Sequence, residues 1–384
     1  MEPNGVTDSE PQWRWPELGE GQRSVLLDVL VHGSRSRVEL TRRSGLSRAS
    51  LSRITRELGD LGLVREAKAA RPVGPGRPSD TIEIVPDAAC FLGIKLTGDS
   101  LYAAVVDLRG VIVHAEGEPL VTRHVDDVVA MVGRTAKRLR QRFPRMAALG
   151  IGLAGDVRQD ARHGAVVVGS AFLGWDEDVA LEARLAGLVG MPVAVSNDVQ
   201  ALTAAHHWFG AGAGASSLAV IGVGAGIGCG IVVGDVPVSG AAGHPGKVGH
   251  LPVGRTDASC DRGHTGCVSA YATIPSILRN ADMASFWEAL EAAERGSEPA
   301  RAAFAAAAEA LGAVVATIVN LVDPERIVVT GEGLPSLEMH PEVFERAIRE
   351  RLDPASCPPD VVRHAFTFTD YAWGAAVTAI VALV

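Results

Sequence analysis

Apolar positions recur at spacings of two to six residues through the segment 38–63, which is typical of short packed helices and not of an alternating strand. Gly45 separates two of these predicted helices, and Ser47 is a good N-cap for the second. An apolar run over residues 26–31 predicts a first helix beneath the pair. The pattern therefore predicts a helix-turn-helix whose second helix covers residues 47–59.

Beyond Val64 the chain carries basic residues, then a turn-rich run at 74–78 and an alternating segment at 79–86. Two extended segments around a tip rich in Gly and Pro are typical of the β-hairpin wing of a winged helix. Arg77 lies at this predicted tip, from which it can reach into the minor groove of a DNA duplex.

From Cys90 onward, predicted strands and helices alternate. Residues 90–115 have the pattern of three successive strands, with turns at 98–99 and 109–110, and a similar group of three begins at Ser217. Predicted helices follow at 126–143, 181–188, 199–209, 284–294, 298–321, 343–351 and 372–384, and predicted strands at 147–151, 192–195 and 326–330. Two halves of the same order predict a duplicated α/β domain with a cleft between the halves.

Charge indicates that the N-terminal segment contacts a polyanion. Residues 21–80 carry 12 Lys and Arg against 6 Asp and Glu, whereas the whole chain has a net charge of −9. The second helix must present donors to bases and phosphates in a major groove about 12 Å wide. A basic module on an acidic body favours nucleic-acid binding, although a small helical subdomain with a solvated basic face is the alternative. The predicted DNA contacts are Arg37, Ser47, Arg48, Ser50, Ser52, Arg53, Arg56 and Arg77.

Length and composition limit the class of protein. With 384 residues, 47% of them hydrophobic, the chain is long enough for two or three domains. Residues 1–20 are polar and predict a disordered leader. No uncharged apolar stretch reaches the ~18 residues of a membrane span. Five scattered cysteines favour a cytoplasmic protein without a disulfide framework.

Glycines alternate with other residues from Gly222 to Gly230. No register gives G-x-G-x-x-G, and the residues that follow are strand-like, so the run does not predict a dinucleotide site. It fits either a hairpin tip whose amides approach a phosphate or a simple tight turn.

Eight segments, in order, resemble the ROK family (repressors, open reading frames and sugar kinases). They are the winged helix, the meander with 93–98 and 105–110, and residues 150–155, 195–198, 222–230, 246–253, 260–267 and 324–333. The resemblance covers residues 21–384. It implies a two-lobed actin- and hexokinase-like fold, a duplicated ribonuclease H-like unit, around a sugar cleft.

The resemblance divides the chain into a winged helix-turn-helix at 21–80 and an effector domain at 88–384. Lobe one takes residues 88–200 with the C-terminal helix, and lobe two takes residues 201–370. Regulators of the family bind double-stranded operator DNA as homodimers or homotetramers and respond to sugars or sugar derivatives. We therefore predict a repressor in which ligand-driven closure of the lobes moves the DNA-binding modules out of register.

The match to the family's kinases is incomplete. Their acidic D-x-G-G-T loop handles magnesium-ATP, and the matching segment here begins with Lys95, which lacks the oxygen ligand that Mg²⁺ needs. Asp198 matches their catalytic base and, in a regulator, would accept a ligand hydroxyl. We expect no enzyme activity and no bound nucleotide. The alternative is a carbohydrate kinase with an appended basic domain.

The family's ligand contacts map onto Ser170, Asn197, Asp198, Lys247, His250 and Ser269. Two positions that are usually glutamate are Lys247 and Ser269, which makes the site more positive. Three hypotheses follow: an effector with an anionic group paired with Lys247, a regulator without an effector, or a surface lysine without a partner.

A structural zinc site of the family also maps onto this chain in altered form. In the family a histidine and three cysteines bind the zinc; His250, Cys260 and Cys267 match, whereas Arg262 replaces the middle cysteine and His264 offers a nitrogen instead. Zinc accepts mixed Cys and His ligands. The resemblance thus implies a zinc site with an unusual fourth ligand, and a metal-free loop is the alternative.

Overall fold

The computed structural model describes residues 13–68 and 80–384. The N-terminal part begins with α1 (Glu20–His32), β1 (Arg35–Ser36), α2 (Arg37–Ser44) and α3 (Arg48–Asp60), followed by β2 (Val64–Lys68) and β3 (Asp80–Ile84). The three strands form a sheet in the order β1-β3-β2. The predicted helix-turn-helix and both strands of the wing are therefore present, whereas the predicted tip with Arg77 lies outside the described residues.

Local chemistry fixes the ends of the two helices of the motif. The Ser36 hydroxyl accepts from the Glu39 amide at 3.3 Å, and the Glu39 carboxylate accepts from the Ser36 amide at 2.8 Å, which forms a capping box for α2. Gly45 ends α2 with φ at 67°, a value that favours glycine. The Ser47 hydroxyl accepts from the Ser50 amide at 3.1 Å and begins α3, as the sequence predicts.

The expected leader differs from the structure at residues 13–20. Trp15 packs edge-on against Phe91 with ring centroids 5.9 Å apart, and Leu18 is 8% exposed. These two side chains supply apolar surface that the polar composition around them obscures. Ordered packing therefore begins before Glu20, and residues 1–12 lie outside the described part of the chain.

The first lobe of the C-terminal part alternates strands and helices. It contains β4 (Cys90–Leu96), β5 (Ser100–Asp107), β6 (Ile112–Pro119), α4 (Val125–Arg142), β7 (Met146–Leu153), β8 (Asp156–Asp160), β9 (Gly164–Gly169), α5 (Leu181–Val189) and β10 (Val193–Asn197). Its main sheet has the order β10-β7-β4-β5-β6. The hairpin of β8 and β9 is absent from the prediction because β8 is polar (D-V-R-Q-D) and the apolar residues of β9 form a run too short to show a period.

The second lobe follows α6 (Asp198–Trp208) and has the same plan. It contains β11 (Leu218–Val223), β12 (Ile227–Val233), β13 (Val236–Pro237), α7 (Ser269–Ala272), α8 (Ile274–Ala281), α9 (Phe286–Glu294), α10 (Glu298–Val322), β14 (Arg326–Thr330), α11 (Pro335–Glu338), α12 (Pro341–Arg351) and β15 (Val361–Arg363). Its sheet has the order β13-β12-β11-β14-β15. The short elements α7, α8, α11 and β15 were not predicted, since none is long enough to show a clear period.

The two sheets share one topology, which confirms the predicted duplication. In each, an antiparallel meander of three strands is extended on the side of its first strand by two parallel strands. Helix α6 and the C-terminal helix α13 (Phe368–Leu383) pack against each other between the sheets. The chain therefore forms two lobes with α6 and α13 at their junction.

Glycines allow α13 to approach the first sheet. A Cβ atom at Gly150 in β7 would lie 1.7 Å from the Ala375 carbonyl oxygen, and one at Gly93 in β4 would lie 1.9 Å from that of Ala372. Both contacts are with helix backbone, which cannot move aside as a flexible side chain can. The position of α13 thus depends on these two glycines.

Among the residues that the structure describes, one helix has the length and hydropathy of a membrane span. The most apolar window of α10 has a mean hydropathy of 2.0, and 78% of that window is buried inside the protein. Helix α10 forms the core of the second lobe with α7, α8 and α12. Its apolar composition is therefore explained by burial within the fold.

The N-terminal part is packed on the first lobe. Val25, Leu26 and Leu30 of α1 belong to a hydrophobic cluster that also contains Phe91 and Leu108. A polar groove of about 430 Å³ lies beside this cluster, between the α1–α2 pair and the end of α6. The N-terminal part and the two-lobed body are therefore in direct contact.

Candidate functional site

Helix α3 separates a buried face from a basic exposed face. Its buried side chains are Leu51, Ile54, Thr55 and Leu58, at helical spacing. The opposite side exposes Arg48, Ser52, Arg53 and Arg56. The side chains predicted to face DNA are thus on the solvent side of the second helix of the motif.

Several of the predicted DNA contacts also have partners inside the protein. Ser47 and Ser50 are joined at 2.9 Å between their hydroxyl oxygens, so both serve the start of α3. Arg53 pairs with Glu57 one turn away at 2.7 Å, and Arg37 pairs with Glu66 of the wing. These ion pairs are exposed and weak enough to exchange for phosphate contacts.

A concavity of about 490 Å³ lies between α3 and the wing. Its lining includes Arg37, Ser52 and Arg56, together with Arg65 and Glu66 of β2. Arg65 pairs with Glu83 across the wing strands at 2.6 Å. The concave side of the motif is therefore rich in guanidinium groups, two of which, those of Arg37 and Arg65, are held in place by carboxylates.

The cleft between the lobes begins at the N-terminus of α6. Asn197 caps this helix: its side-chain oxygen accepts from the amides of Val199 at 2.9 Å and Gln200 at 3.3 Å. Its side-chain nitrogen donates to the Gly155 carbonyl at 3.0 Å. The predicted ligand contact Asn197 therefore also fixes the junction of β10, α6 and the loop after β7.

Asp198, the first residue of α6, is 7% exposed and forms an ion pair with Lys95 of β4. Its other carboxylate oxygen accepts from the Val199 amide at 2.9 Å. The Lys95 ammonium also lies over the ring of Tyr371, 4.4 Å from the ring centroid. Both oxygens of Asp198 are therefore bonded within the chain.

Glu332, after β14 of the second lobe, lies at the glycine-rich hairpin. Its carboxylate accepts from the Ala225 amide at 3.4 Å, and a Cβ atom at Gly224 would lie 2.4 Å from it. Burial raises the pKa of Glu332, while the positive charge of Lys95 acts in the opposite direction. Burial, with the charges of Asp198 and Glu332, also raises the pKa of Tyr371. These four side chains form one cluster across the cleft.

The other predicted ligand residues differ in exposure. Ser170 is 2% exposed and donates to the Ala154 carbonyl at 2.7 Å, and Ser269 is buried at the start of α7. Lys247 is exposed and pairs with Asp156 at 2.9 Å. Asp156 also lies 3.4 Å from His244. Lys247 therefore has a partner within the chain, and the hypothesis of a lysine without a partner is wrong. Asp156 also offsets part of the positive charge that the sequence predicts for this site.

Four potential metal ligands lie together beside the cleft. The Nδ1 atom of His250 lies 3.8 Å from the Cys260 sulfur, 3.7 Å from the Cys267 sulfur and 3.1 Å from Nδ1 of His264. A zinc tetrahedron with bonds of about 2.3 Å to sulfur and about 2.0 Å to nitrogen has edges of about 3.3 to 3.8 Å. The spacing and the mixed sulfur and nitrogen donors therefore fit zinc.

The surroundings of this group also suit a metal. All four ligand atoms lie within 4.8 Å of one another. Burial, followed by the charges of His264 and Arg262, lowers the pKa of His250, which favours the neutral imidazole that metals bind. Arg262, in the place of the middle cysteine, is exposed. His264 supplies the fourth donor from the same loop.

The ROK family model matches residues 91–380. This chain belongs to the ROK family. Its curated relatives include a xylose repressor of Caldicellulosiruptor bescii, 25% identical over 353 residues, which cover 85% of this chain and 86% of that protein. The DNA-binding transcriptional repressor Mlc of Escherichia coli is 24% identical over 348 residues, 86% of this chain and 84% of Mlc.

Solved structures of the ROK family share the fold. A ROK family transcriptional regulator described as a homologue of Escherichia coli Mlc superposes with a TM-score of 0.79 at 24% identity, over 93% of this chain and 95% of that one. A ROK hexokinase from Thermus thermophilus gives a TM-score of 0.65 at 24% identity and covers 77% of this chain and 99% of its own. The hexokinase thus matches the two-lobed part, and the regulator matches nearly the whole chain.

Sequence reasoning missed three residues of the cleft in this ROK protein: Asp156, Glu332 and Tyr371. Glu332 lies between two glycines of the family segment 324–333, so a charged residue at this position could have been recognised as a candidate site residue. Asp156 and Tyr371 carry no local signal, because only the fold brings them to Lys247 and Lys95.

Proposed function

We propose that this ROK protein is a DNA-binding transcriptional regulator of the cytoplasm, and specifically a repressor. The observation that carries the proposal is the exposed face of α3, with Arg48, Arg53 and Arg56 opposite a buried apolar face. This basic face belongs to a chain whose net charge is −9. A local cationic surface on an acidic protein favours binding of a DNA duplex at that surface over nonspecific binding of polyanions across the whole protein.

The names of the relatives support this function. The xylose repressor and Mlc are both named as repressors, and each covers more than four fifths of this chain. The DNA-binding transcriptional dual regulator NagC of Escherichia coli is 25% identical over 325 residues, 78% of this chain and 77% of NagC. We infer that this chain has a winged helix at residues 21–80 and an effector domain at residues 88–384.

The kinase alternative is disfavoured by the cleft. A kinase needs a carboxylate that is free to take a proton from the sugar hydroxyl, and here Asp198 is paired with Lys95. It also needs backbone amides that are free to bind nucleotide phosphates, and here the Glu332 carboxylate lies at the Ala225 amide. We propose that the protein has no kinase activity. An ATP-turnover assay with a panel of hexoses and hexosamines tests this, and turnover would contradict it.

The proposed effector is a sugar derivative that binds between the lobes. Its candidate contacts are Ser170, Asn197, Asp198, Lys247, His250 and Ser269. Because Lys247 is exposed at the cleft and its partner Asp156 is also half-exposed, an anionic group on the ligand can exchange with Asp156 for the ammonium. A phosphorylated or carboxylated sugar is thus favoured over a neutral one.

We further propose that His250, Cys260, His264 and Cys267 hold zinc, which would act as a structural cross-link for the loop over residues 250–267. His250 precedes this loop in a short 3-10 helix, and backbone bonds from Cys260 to the His264 carbonyl shape its turn. A histidine can bind metal through one ring nitrogen and leave the other for a ligand hydroxyl. Zinc binding would thereby orient His250 toward the cleft.

Helix α6 offers a route between the two functions. It begins at Asp198 in the cleft and ends at Trp208, which lines the groove against α1 and α2. We propose that closure of the lobes on an effector moves α6 and, through it, the DNA-binding module. In a homodimer or homotetramer this motion would change the spacing of two α3 helices on an inverted repeat.

The decisive experiment is selection of bound fragments from the organism's own DNA with the purified protein, followed by affinity measurements across a range of salt. We expect enrichment of an inverted repeat and an affinity for it that falls steeply with salt, while a scrambled duplex binds much more weakly. Equal affinity for both duplexes would contradict the proposal.

A further inference from the structure

Lys95 is a charged residue in the centre of a buried sheet. All residues of β4 are buried, and Lys95 is 4% exposed. Removing an ammonium group from water is unfavourable unless a partner of opposite charge replaces the solvent. The partners of Lys95 therefore decide what its side chain does in the cleft.

Those partners, Asp198 and Tyr371, come from elements at the junction of the two lobes, and they are buried as well. The ammonium pairs with Asp198, which starts α6, and lies over the ring of Tyr371 in α13. Glu332 of the second lobe is close enough for the charge of Lys95 to act on it. One ammonium thus contacts the two helices at the junction of the lobes and faces a carboxylate of the opposite lobe.

Pairing and burial leave little of Asp198 open to a ligand: both carboxylate oxygens already accept a hydrogen bond, and the residue is 7% exposed. One carboxylate oxygen is bonded to Lys95, and the other accepts from the Val199 amide at 2.9 Å. To bind Asp198, a neutral sugar would have to displace the Lys95 ammonium and donate a hydrogen bond from one of its hydroxyl groups instead. A hydroxyl is the weaker donor to a carboxylate, since a charge-assisted hydrogen bond is roughly twice as strong as a neutral one.

We propose that Lys95 masks Asp198 and so excludes neutral sugars from the cleft. Its ammonium, supplied by the chain itself, takes the position of the ligand hydroxyl that Asp198 would otherwise bind. The inference rests on the proposed ligand-responsive cleft and names the residue that determines its specificity. Lys95 is a specificity-determining residue that acts through Asp198.

The test is calorimetric titration of the purified full chain with glucose, xylose and N-acetylglucosamine. We expect Lys95→Ala to bind at least one of these sugars tenfold or more tightly than the wild type does. The double variant Lys95→Ala/Asp198→Asn should lose this gain, because the unmasked acceptor is gone. Lys137→Ala, which removes an exposed lysine from α4, should bind as the wild type does.

A small cation provides a second readout that a purely structural role would not produce. Methylammonium fits the space left in Lys95→Ala and should lower its sugar affinity again by competing for Asp198. Tetramethylammonium, which cannot donate a hydrogen bond, should have no such effect. If Lys95→Ala does not fold, as judged by its melting curve, Lys95→Met fills the space without charge and should show the same gain in sugar binding.

Two results would overturn the inference. One is a folded Lys95→Ala or Lys95→Met protein with no gain for any of the three sugars. The other is a wild-type protein that binds a neutral sugar and loses tenfold or more of that affinity in Asp198→Asn. Because these titrations contain no DNA, either result leaves the proposed DNA binding standing, and a failure to bind DNA leaves the sugar titrations interpretable.

Discussion

Asp198 and Trp208 are the first and last residues of the same helix, α6. Asp198 lies in the cleft between the lobes, whereas Trp208 lines the groove that separates the body from the DNA-binding module. A helix of this length spans about 16 Å and moves as one rigid element. Helix α6 is therefore one of the elements that connect the cleft with the DNA-binding module, beside the contacts of α1 and Trp15 with the first lobe.

We expect Trp208→Ala to loosen the contact between α6 and the N-terminal module. The side chain packs against the cluster that includes α1, so its loss removes apolar contact at the junction of the domains. Amide hydrogen exchange should become faster in α1 and α2, while that in the core of α10 stays unchanged. Equal exchange in the variant and the wild type would show that α6 does not hold the module.

Replacement of the basic side chains of α3 should weaken binding to the selected duplex. Arg53→Ala and Arg56→Ala should each cost about 1–3 kcal/mol of binding free energy, and the loss should diminish at high salt if the contact is with a phosphate. Arg301→Ala removes an exposed arginine from α10 and is the matched control. An unchanged affinity in both α3 variants would place the duplex elsewhere on the protein.

Elemental analysis should find about one zinc ion per chain if the His250 group acts as proposed. Cys267→Ser should abolish the zinc content and lower the melting temperature, because metal binding contributes to folding free energy. Cys357→Ser alters an exposed cysteine outside the group and should keep the zinc. Zinc-free wild-type protein with the same melting temperature after chelation would instead support the metal-free loop.

His206 should make the protein less stable in mild acid. Burial lowers the pKa of this fully buried histidine from 6.5 to about 3, and the charge of His364 adds to the effect. Between these two pH values His206 binds a proton in the unfolded chain but stays neutral in the folded chain. Stability should therefore fall with decreasing pH by at most about 1.4 kcal/mol per unit.

Denaturant unfolding at pH 7 and pH 5.5 measures this dependence. His206→Gln should flatten it, even though the variant is less stable overall because it loses the ring contacts with His364 and Trp373. The exposed histidine variant His163→Gln should retain the wild-type slope. If the free energy of unfolding depends on pH in His206→Gln as it does in the wild type, His206 is not the cause of the pH dependence.

Gly150→Ala should severely destabilise the fold. Its new Cβ atom would lie 1.7 Å from the Ala375 carbonyl oxygen, so α13 would have to move off the first sheet. We expect a loss of about 3 kcal/mol or more, or no folded protein. Gly187→Ala in α5 meets no atom within 4 Å and should stabilise by about 0.5–1 kcal/mol. Thermal melting of the two variants distinguishes these outcomes.

Local signals were sufficient for much of the fold. Ser47 and Gly45 predicted the turn of the helix-turn-helix because capping depends on neighbouring residues. The two meanders were predicted because alternation and turn residues are also local. The β8–β9 hairpin and the short helix α7 were not, since an element of a few residues shows no period and is held by its surroundings.

The candidate site was predicted unevenly for the same reason. His250, Cys260, His264 and Cys267 were recognisable in the sequence, and the fold places their ligand atoms within 4.8 Å of one another. Lys95 was recognised as a departure from the kinases of the family, but its partner was not. The two residues of that ion pair are 103 positions apart.

The sequence by itself determined the winged helix and the repeated order of strands, and it places a lysine, Lys95, where the kinases of the family carry an aspartate. Each of these features depends on residue types that lie close together in the sequence. Only the tertiary structure decided that Lys95 pairs with Asp198, that Asp156 offsets Lys247 and that α1 shares a hydrophobic cluster with the first lobe. Such contacts join distant parts of the chain, and their partners are selected by burial of surface and charge once the two lobes have formed.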